Sequence, residues 1–185
     1  MDLDASVIAR LRAGDIDALE ICYRSFGPRV QRLCRRLVGR DQAEDAAQEV
    51  FVKVFEHAAQ FRGKARFSTW LYQVTLNHCL QRSERERLRK TLPLPIDQVA
   101  PWAEAPLRAI DDRDQVESWL AALNDEQRAV IVLRELEGLD YREIAEVLGV
   151  PAGTVMSRLS RAREKLTLIA SAPRTASPHA KVLPT

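Results

Sequence analysis

Thr154, Ser157, Arg158, Arg161 and Lys165 lie within the stretch YREIAEVLGVPAGTVMSRLSRAREK and share one face of a helix. Hydroxyl and guanidinium groups so arranged can donate to base edges and to phosphate oxygens. A second group surrounds the loop FRGKARFSTW, where Arg62, Lys64 and Arg66 interleave with Phe61, Phe67 and Trp70, followed by Ser68, Thr69 and Gln73. Cations that hold a backbone beside rings that stack on bases suit single-stranded DNA, at ~1–3 kcal/mol per captured base. Asn77 lies two helical turns after Trp70, and its amide both donates and accepts, as reading a base edge requires. Taken singly, Trp70 and Tyr72 read first as core residues. The third group is acidic: Asp45 and Glu49 stand one helical turn apart, with Gln48, Val52 and Lys53 on the same side. Paired carboxylates can serve a metal or acid–base chemistry, but no metal-ligand spacing accompanies them. Val52 and Gln48 among the charges point to a protein partner.

The elements that must hold these groups are helices. Gly is sparse and no alternating β-branched run stands out, so the fold class expected is all-α. Short helices are predicted over 6–11, 16–26 and 29–38, punctuated by Gly14, Gly27-Pro28 and Gly39. Asp41 with Glu44 predicts a capping box opening a helix over 42–58. A further helix is expected over 68–89. Residues 91–111 hold Pro93, Pro95, Pro101 and Pro106 and read as a linker. Beyond it come helices over 112–122 and 125–137, the second capped by Asn124 with Gln127. Asp140 and Glu143 form another capping box, Gly149 suits a left-handed helix end, and Pro151 suits the first turn of the next helix. Val155, Leu159, Ala162 and Leu166 give that last helix a buried stripe. Helix, short break and helix with one basic face make a helix-turn-helix. The Ala/Pro/Ser-rich residues 170–185 read as a disordered tail.

The net charge is +2, but the charges are segregated. The stretch 61–90 is basic, while 41–56 and 97–126 are acidic. Cys22, Cys34 and Cys79 are scattered and odd in number, which excludes a disulfide framework and gives no zinc spacing. No apolar run is long enough to span a membrane and the N-terminal residues do not read as a signal peptide, so a cytoplasmic protein is expected. No nucleophile motif, phosphate loop or cofactor motif is present, and neither catalysis nor a cofactor is expected.

The order AEDAAQEVFVKVFEHAAQFRGKARFSTWLYQVTLNHC, a proline-bearing linker, then LNDEQRAVIVLRELEGLDYREIAEVLGVPAGTVMSRLSRAREKL resembles a bacterial RNA polymerase sigma factor of the extracytoplasmic-function (ECF) type, over about residues 4–168. The resemblance implies a region-two domain over 1–90, the linker, a region-four domain over 112–169 and the tail. It further implies that Asp45, Gln48, Glu49, Val52 and Lys53 meet a coiled coil of core RNA polymerase. Arg62, Lys64, Arg66, Phe67, Ser68, Thr69, Trp70, Gln73 and Asn77 would melt and read the −10 element, with Arg82 and Arg85 on its phosphates. Pro151, Thr154, Ser157, Arg158, Arg161 and Arg163 would bind the −35 duplex. Met156 stands where many relatives carry Lys or Arg. The partners implied are core polymerase, promoter DNA and an anti-sigma factor. Two readings of the residues alone remain beside this one. One is a stand-alone helix-turn-helix regulator with an N-terminal sensor or dimerisation domain. The other is a helical enzyme built on Asp45, Glu49 and His57.

Overall fold

The computed structural model describes residues 2–91 and 112–171, and the expected linker and tail lie almost wholly outside them. Among the described residues there are eight α-helices and no strand. The first four form one block. Helix α1, Ala5–Arg12, starts where the Asp4 carboxylate accepts from the Ser6 amide. Helix α2, Ile16–Val38, is capped by Asp15 and runs straight through Gly27 and Pro28, where a break was predicted. Pro28 forfeits one backbone hydrogen bond, at ~3 kcal/mol or more. Against that cost, Cys22, Phe26, Val30, Leu33 and Leu37 keep a single buried stripe across the proline. Burial at ~1.5–3 kcal/mol per large apolar side chain exceeds the loss.

Helix α3 spans Ala43–His57. The Asp41–Glu44 capping box does not form, and Gln42 occupies the N-cap without a side-chain bond to the helix. A tight turn from Arg40 to Ala43 carries the chain in. The Gln42 side chain faces outward to accept from Arg82 Nε at 2.8 Å. A 3-10 turn, Ala58–Gln60, leads into the loop before helix α4, Phe67–Thr91. The cap of α4 comes from far away in sequence: the two Asp2 carboxylate oxygens accept from the Phe67 amide at 3.2 Å and the Ser68 amide at 3.0 Å. Leu11, Val30, Leu33, Val50, Val54, Phe67, Leu71 and Leu76 fill the core between these helices.

The second block contains α5, Asp112–Ala121, and α6, Asp125–Ile131, with the expected Asn124–Gln127 capping box. The helix predicted to continue to 137 instead widens into a π-turn over Val132–Leu136. That turn rotates Glu137 toward the first block, and such bulges recur at functional positions. Helix α7, Tyr141–Leu148, has the Asp140–Glu143 box as expected and ends at Gly149 in the left-handed region, φ 64°. Helix α8, Ala152–Ser171, buries Val155, Leu159 and Ala162.

The blocks touch through polar groups. The Glu137 side chain, 4% exposed, pairs with Arg29 at 3.2 Å and accepts from the Tyr72 hydroxyl at 2.9 Å. Arg128 Nη1 donates to the Leu37 carbonyl at 2.7 Å, and Arg35 pairs with Glu117.

Candidate nucleic-acid and protein interfaces

On α8 the outward groups are not equivalent. Pro151, Ser157, Arg161 and Arg163 are exposed and Thr154 is half-buried. Arg158 Nη2 pairs with Glu126 of α6, and its side chain is only 20% exposed. Arg163 pairs with Glu135 at 2.6 Å. Arg161 has no ion-pair partner among the described residues, so its guanidinium fork is the one left open at this face. Ser157 donates its hydroxyl to the Thr154 carbonyl.

The basic loop rests on an aromatic cluster. Phe61, Phe67 and Trp70 sit with ring centroids 5.5 Å apart in each pair, and Phe26 joins Phe67 at 5.8 Å. Phe61 and Phe67 are therefore scaffold, while Trp70 is half-buried with one side toward solvent. Arg62 and Lys64 are exposed on the loop. A hollow of about 320 Å³ opens between Phe61, Lys64, Trp70 and Gln73, with Glu146 of α7 at its far side. Arg66 lies 3.8 Å from Glu143 of α7, Ser68 is half-buried and Thr69 is buried. The second block thus stands over one edge of the loop. Between the blocks a polar cleft of about 520 Å³ is lined by Asp2, Arg29, Arg66, Tyr72, Glu137 and Glu143. Tyr72 is core and contact rather than a base platform, and burial with the Glu137 carboxylate nearby raises its phenol above the ordinary range. Asn77 and Arg85 are exposed further along α4.

Arg82 does not point with them. It turns onto α3, reaching Glu49 Oε1 at 3.0 Å, Gln42 at 2.8 Å and Asp45 at 3.9 Å. The sequence alone grouped it with the strand-binding cations, because its partners lie on another helix. On α3, Asp45, Gln48, Glu49 and Val52 are exposed and Lys53 is half-buried. Val52, 56% exposed, is an apolar side chain that the fold leaves uncovered among charges. His78, which the sequence reading passed over, lies beneath this face. Its Nε2 is 3.3 Å from Glu49 Oε2 yet has no hydrogen bond among the described residues. Burial lowers its pKa from the ordinary 6.5, with Glu49 opposing and Lys53, Arg82 and Arg85 adding to the shift.

A buried neutral imidazole has a definite pH signature. The unfolded chain binds the proton more tightly, so the His78 contribution is present above pH 6.5 and is lost as the pH falls through the lowered folded value. We expect the melting temperature to fall between pH 7 and 5, and His78→Phe to flatten that slope. Thermal melts of both proteins across this range check it, and equal slopes would remove His78 as the cause.

The three thiols are buried as well. Cys34 and Cys79 approach to 3.8 Å inside the core, burial pushes Cys22 up to about 12, and the Cys79 thiol is raised by its hydrogen bond to Cys34 and by burial. A reactive cysteine needs the opposite shift and solvent access.

Two family models match the chain: Sigma-70 region 2 over residues 22–89, which is α2 to α4, and Sigma-70, region 4 over residues 113–166, which is α5 to α8. The ECF RNA polymerase sigma-E factor of Haemophilus influenzae is 33% identical over 178 residues, spanning 88% of this chain and 93% of its own length. The chain belongs to the ECF RNA polymerase sigma factors. SigM, an ECF sigma factor of Mycobacterium tuberculosis, is 34% identical over 165 residues, with 88% and 82% covered. The fold agrees with that of CnrH in complex with the cytosolic domain of CnrY, at a TM-score of 0.65 and 24% identity over 90% of this chain and 96% of the other. It also agrees with the sigma factor RpoE in complex with the anti-sigma factor NepR from Bartonella quintana, at 0.63 and 23% over 84% and 98%. This ECF sigma factor is accordingly a transcription-initiation factor whose partners are RNA polymerase and promoter DNA. Among its described residues no helix is long and apolar enough to cross a membrane.

Proposed function

We propose that this sigma factor divides its work among three faces and performs no catalysis of its own. Asp45, Gln48, Glu49, Val52 and Lys53 on α3 dock against a basic helical surface of core polymerase, with carboxylates steering the encounter and Val52 supplying the dry contact. Arg62, Lys64, Trp70, Gln73 and Asn77 take the melted −10 strand, with Arg85 on its phosphates. Captured bases offset the few kcal/mol of unstacking that each flipped base requires. Arg66, Ser68 and Thr69 lie at the edge of this surface beneath α7, and Phe67 holds the loop from below. Pro151, just before α8, and Thr154, Ser157, Arg161 and Arg163 of α8 meet the −35 duplex. The domains read as 1–90 and 112–169, and the site of action as the cytoplasm.

The observation that carries this reading is the separation of an acidic face holding an uncovered Val52 from a loop and a helix whose cations Arg62, Lys64 and Arg161 are exposed. Transcription from a library of genomic fragments by core polymerase, with and without the protein, tests it. New starts downstream of a shared pair of motifs are expected. Duplex binding without polymerase and without new starts would instead support a stand-alone regulator. Because the similar folds named above include RpoE bound to the anti-sigma factor NepR, we extend the reading to control by an anti-sigma factor.

Within this reading Arg161 and Arg158 should part company. Arg161→Ala removes the open fork and is expected to cost ~1–3 kcal/mol of discrimination at one base pair. Arg158→Ala, which breaks the pair with Glu126, should leave base preference intact and lower the stability of the second block instead. Competition binding on duplexes altered one position at a time separates the two, and a loss of base preference in Arg158→Ala would reverse the assignment.

A further inference from the structure

We propose that Arg82 is a positioning residue for polymerase docking: from α4 it fixes the carboxylate of Glu49, and with it the start of α3, in the geometry presented to the enzyme. The inference rests on the reading of α3 as the docking face.

All the reach of this guanidinium is spent on one helix. Nε donates to Gln42 Oε1 at 2.8 Å, Nη1 donates to Glu49 Oε1 at 3.0 Å, and Nη2 lies 3.9 Å from Asp45 Oδ2. Gln42 is the N-cap of α3, so Arg82 grips the helix at its entry and again two turns further on. The Arg82 side chain is 26% exposed, whereas Glu49 is 54% and Asp45 71% exposed. The cation is the inner partner and the carboxylates are the outer ones. An unsupported surface glutamate samples many rotamers and loses that freedom on binding; held by an arginine fork, it has lost much of it beforehand. The planar fork suits this better than an ammonium, because it serves two acceptors at fixed angles. The helix still carries Glu44, Asp45, Glu49 and Glu56 against Lys53, so the face remains acidic with Arg82 counted.

The same geometry argues against a role on DNA. A phosphate contact needs a free edge of the guanidinium, and all three nitrogens of Arg82 face α3. Arg85, exposed on the same helix and without an ion pair to α3 among the described residues, is the better phosphate ligand. Beneath Glu49, His78 brings its Nε2 to 3.3 Å of the second carboxylate oxygen, so Glu49 stands between two side chains of α4.

A cycle of full-length variants tests this: wild type, Arg82→Ala, Glu49→Gln and the double variant, each titrated against core RNA polymerase, with thermal melts alongside. Glu49→Gln should weaken core binding. Arg82→Ala should weaken it by roughly three- to tenfold, the scale of coupling between residues in direct contact. The double variant should be no weaker than Glu49→Gln alone, because Arg82 acts through that carboxylate. Arg82→Lys should restore binding only in part. If Glu49→Gln binds core as wild type does, the docking reading itself fails. If Glu49→Gln is weakened and Arg82→Ala is not, the positioning role alone is overturned. Equal losses from Arg82→Ala in both backgrounds, tracking a fall in melting temperature, would make Arg82 merely structural. Unchanged core affinity with weaker promoter binding by assembled holoenzyme would return Arg82 to the DNA, and would equally overturn the proposal.

Discussion

Phe67→Ala should destabilise the first block by ~3–5 kcal/mol, the usual cost of deleting a buried phenyl ring. Phe67 is 1% exposed and meets Phe26, Phe61 and Trp70 at once. Its loss leaves a cavity at the junction of α2, the loop and α4, and three rings around it lose an edge or face contact. Phe67 is also the first residue of α4, so the cavity opens under the point where the loop becomes helix. The residues proposed for the melted strand, Arg62 and Lys64 on the loop and Trp70 on the first turn, lose their floor. Open-complex formation should therefore fall further than global unfolding at the assay temperature explains, while docking through α3 is less affected. Urea denaturation followed by permanganate footprinting of the melted strand checks both halves. A stable Phe67→Ala protein that melts promoters normally would show that the cluster neither holds the fold nor aims the loop. Phe67→Leu, which keeps most of the volume, should recover much of the stability.

Glu137→Ala is expected to free the two blocks from one another. The carboxylate is 4% exposed and joins Arg29 of α2 to the Tyr72 hydroxyl of α4. Without it a buried hydroxyl and a cation 41% exposed lose their partner. Removing one partner in such a site costs ~1–3 kcal/mol. Arg29 is wet enough that we place the effect toward the lower end. Even that shifts the balance between closed and open arrangements by about five- to tenfold, since 1.4 kcal/mol is a factor of ten. Arg128 to the Leu37 carbonyl, Arg35 to Glu117 and the looser Arg66–Glu143 pair remain as ties, but neither of those carboxylates is as buried as Glu137. The radius of gyration should rise in small-angle scattering, and amides near Arg66 and Glu143, which face each other at 3.8 Å, should exchange faster. Because α7 stands over one edge of the loop, single-stranded DNA should also bind more tightly. Unchanged scattering and exchange would show that the carboxylate is a bystander in the contact.

What the sequence disclosed and what it hid follow from range. The Asn124, Asp140 and Glu143 caps and the left-handed Gly149 were legible because each bond closes within a few residues. The buried stripe of α8 was legible from its period alone. Pro28 was misread as a break because local propensity was weighed without the five buried side chains that hold α2 together across it. Asp41 looked like a cap, yet the turn from Arg40 takes its place. The cations were where sequence reasoning strained most. Arg82, Arg158 and Arg163 find acids on other elements 33, 32 and 28 residues away, so the open cations among the candidates narrow to Arg62, Lys64, Arg85 and Arg161, a distinction no spacing rule contains. Glu137, made inward by a π-turn, gave no signal in the helical pattern that surrounded it.

The Asp2 cap on α4 bears on the order of events when the chain folds. The carboxylate and the amides it receives are separated by 65 and 66 residues, so that bond closes one of the longest loops in its block. Closure of such a loop must await the elements in between. On a ribosome Asp2 emerges well before Phe67, and its carboxylate has no donating amides to meet until α4 exists. A segment translated before the rest of its block is thus among the last to lock, and the loop before α4 acquires its fixed end in that same late step.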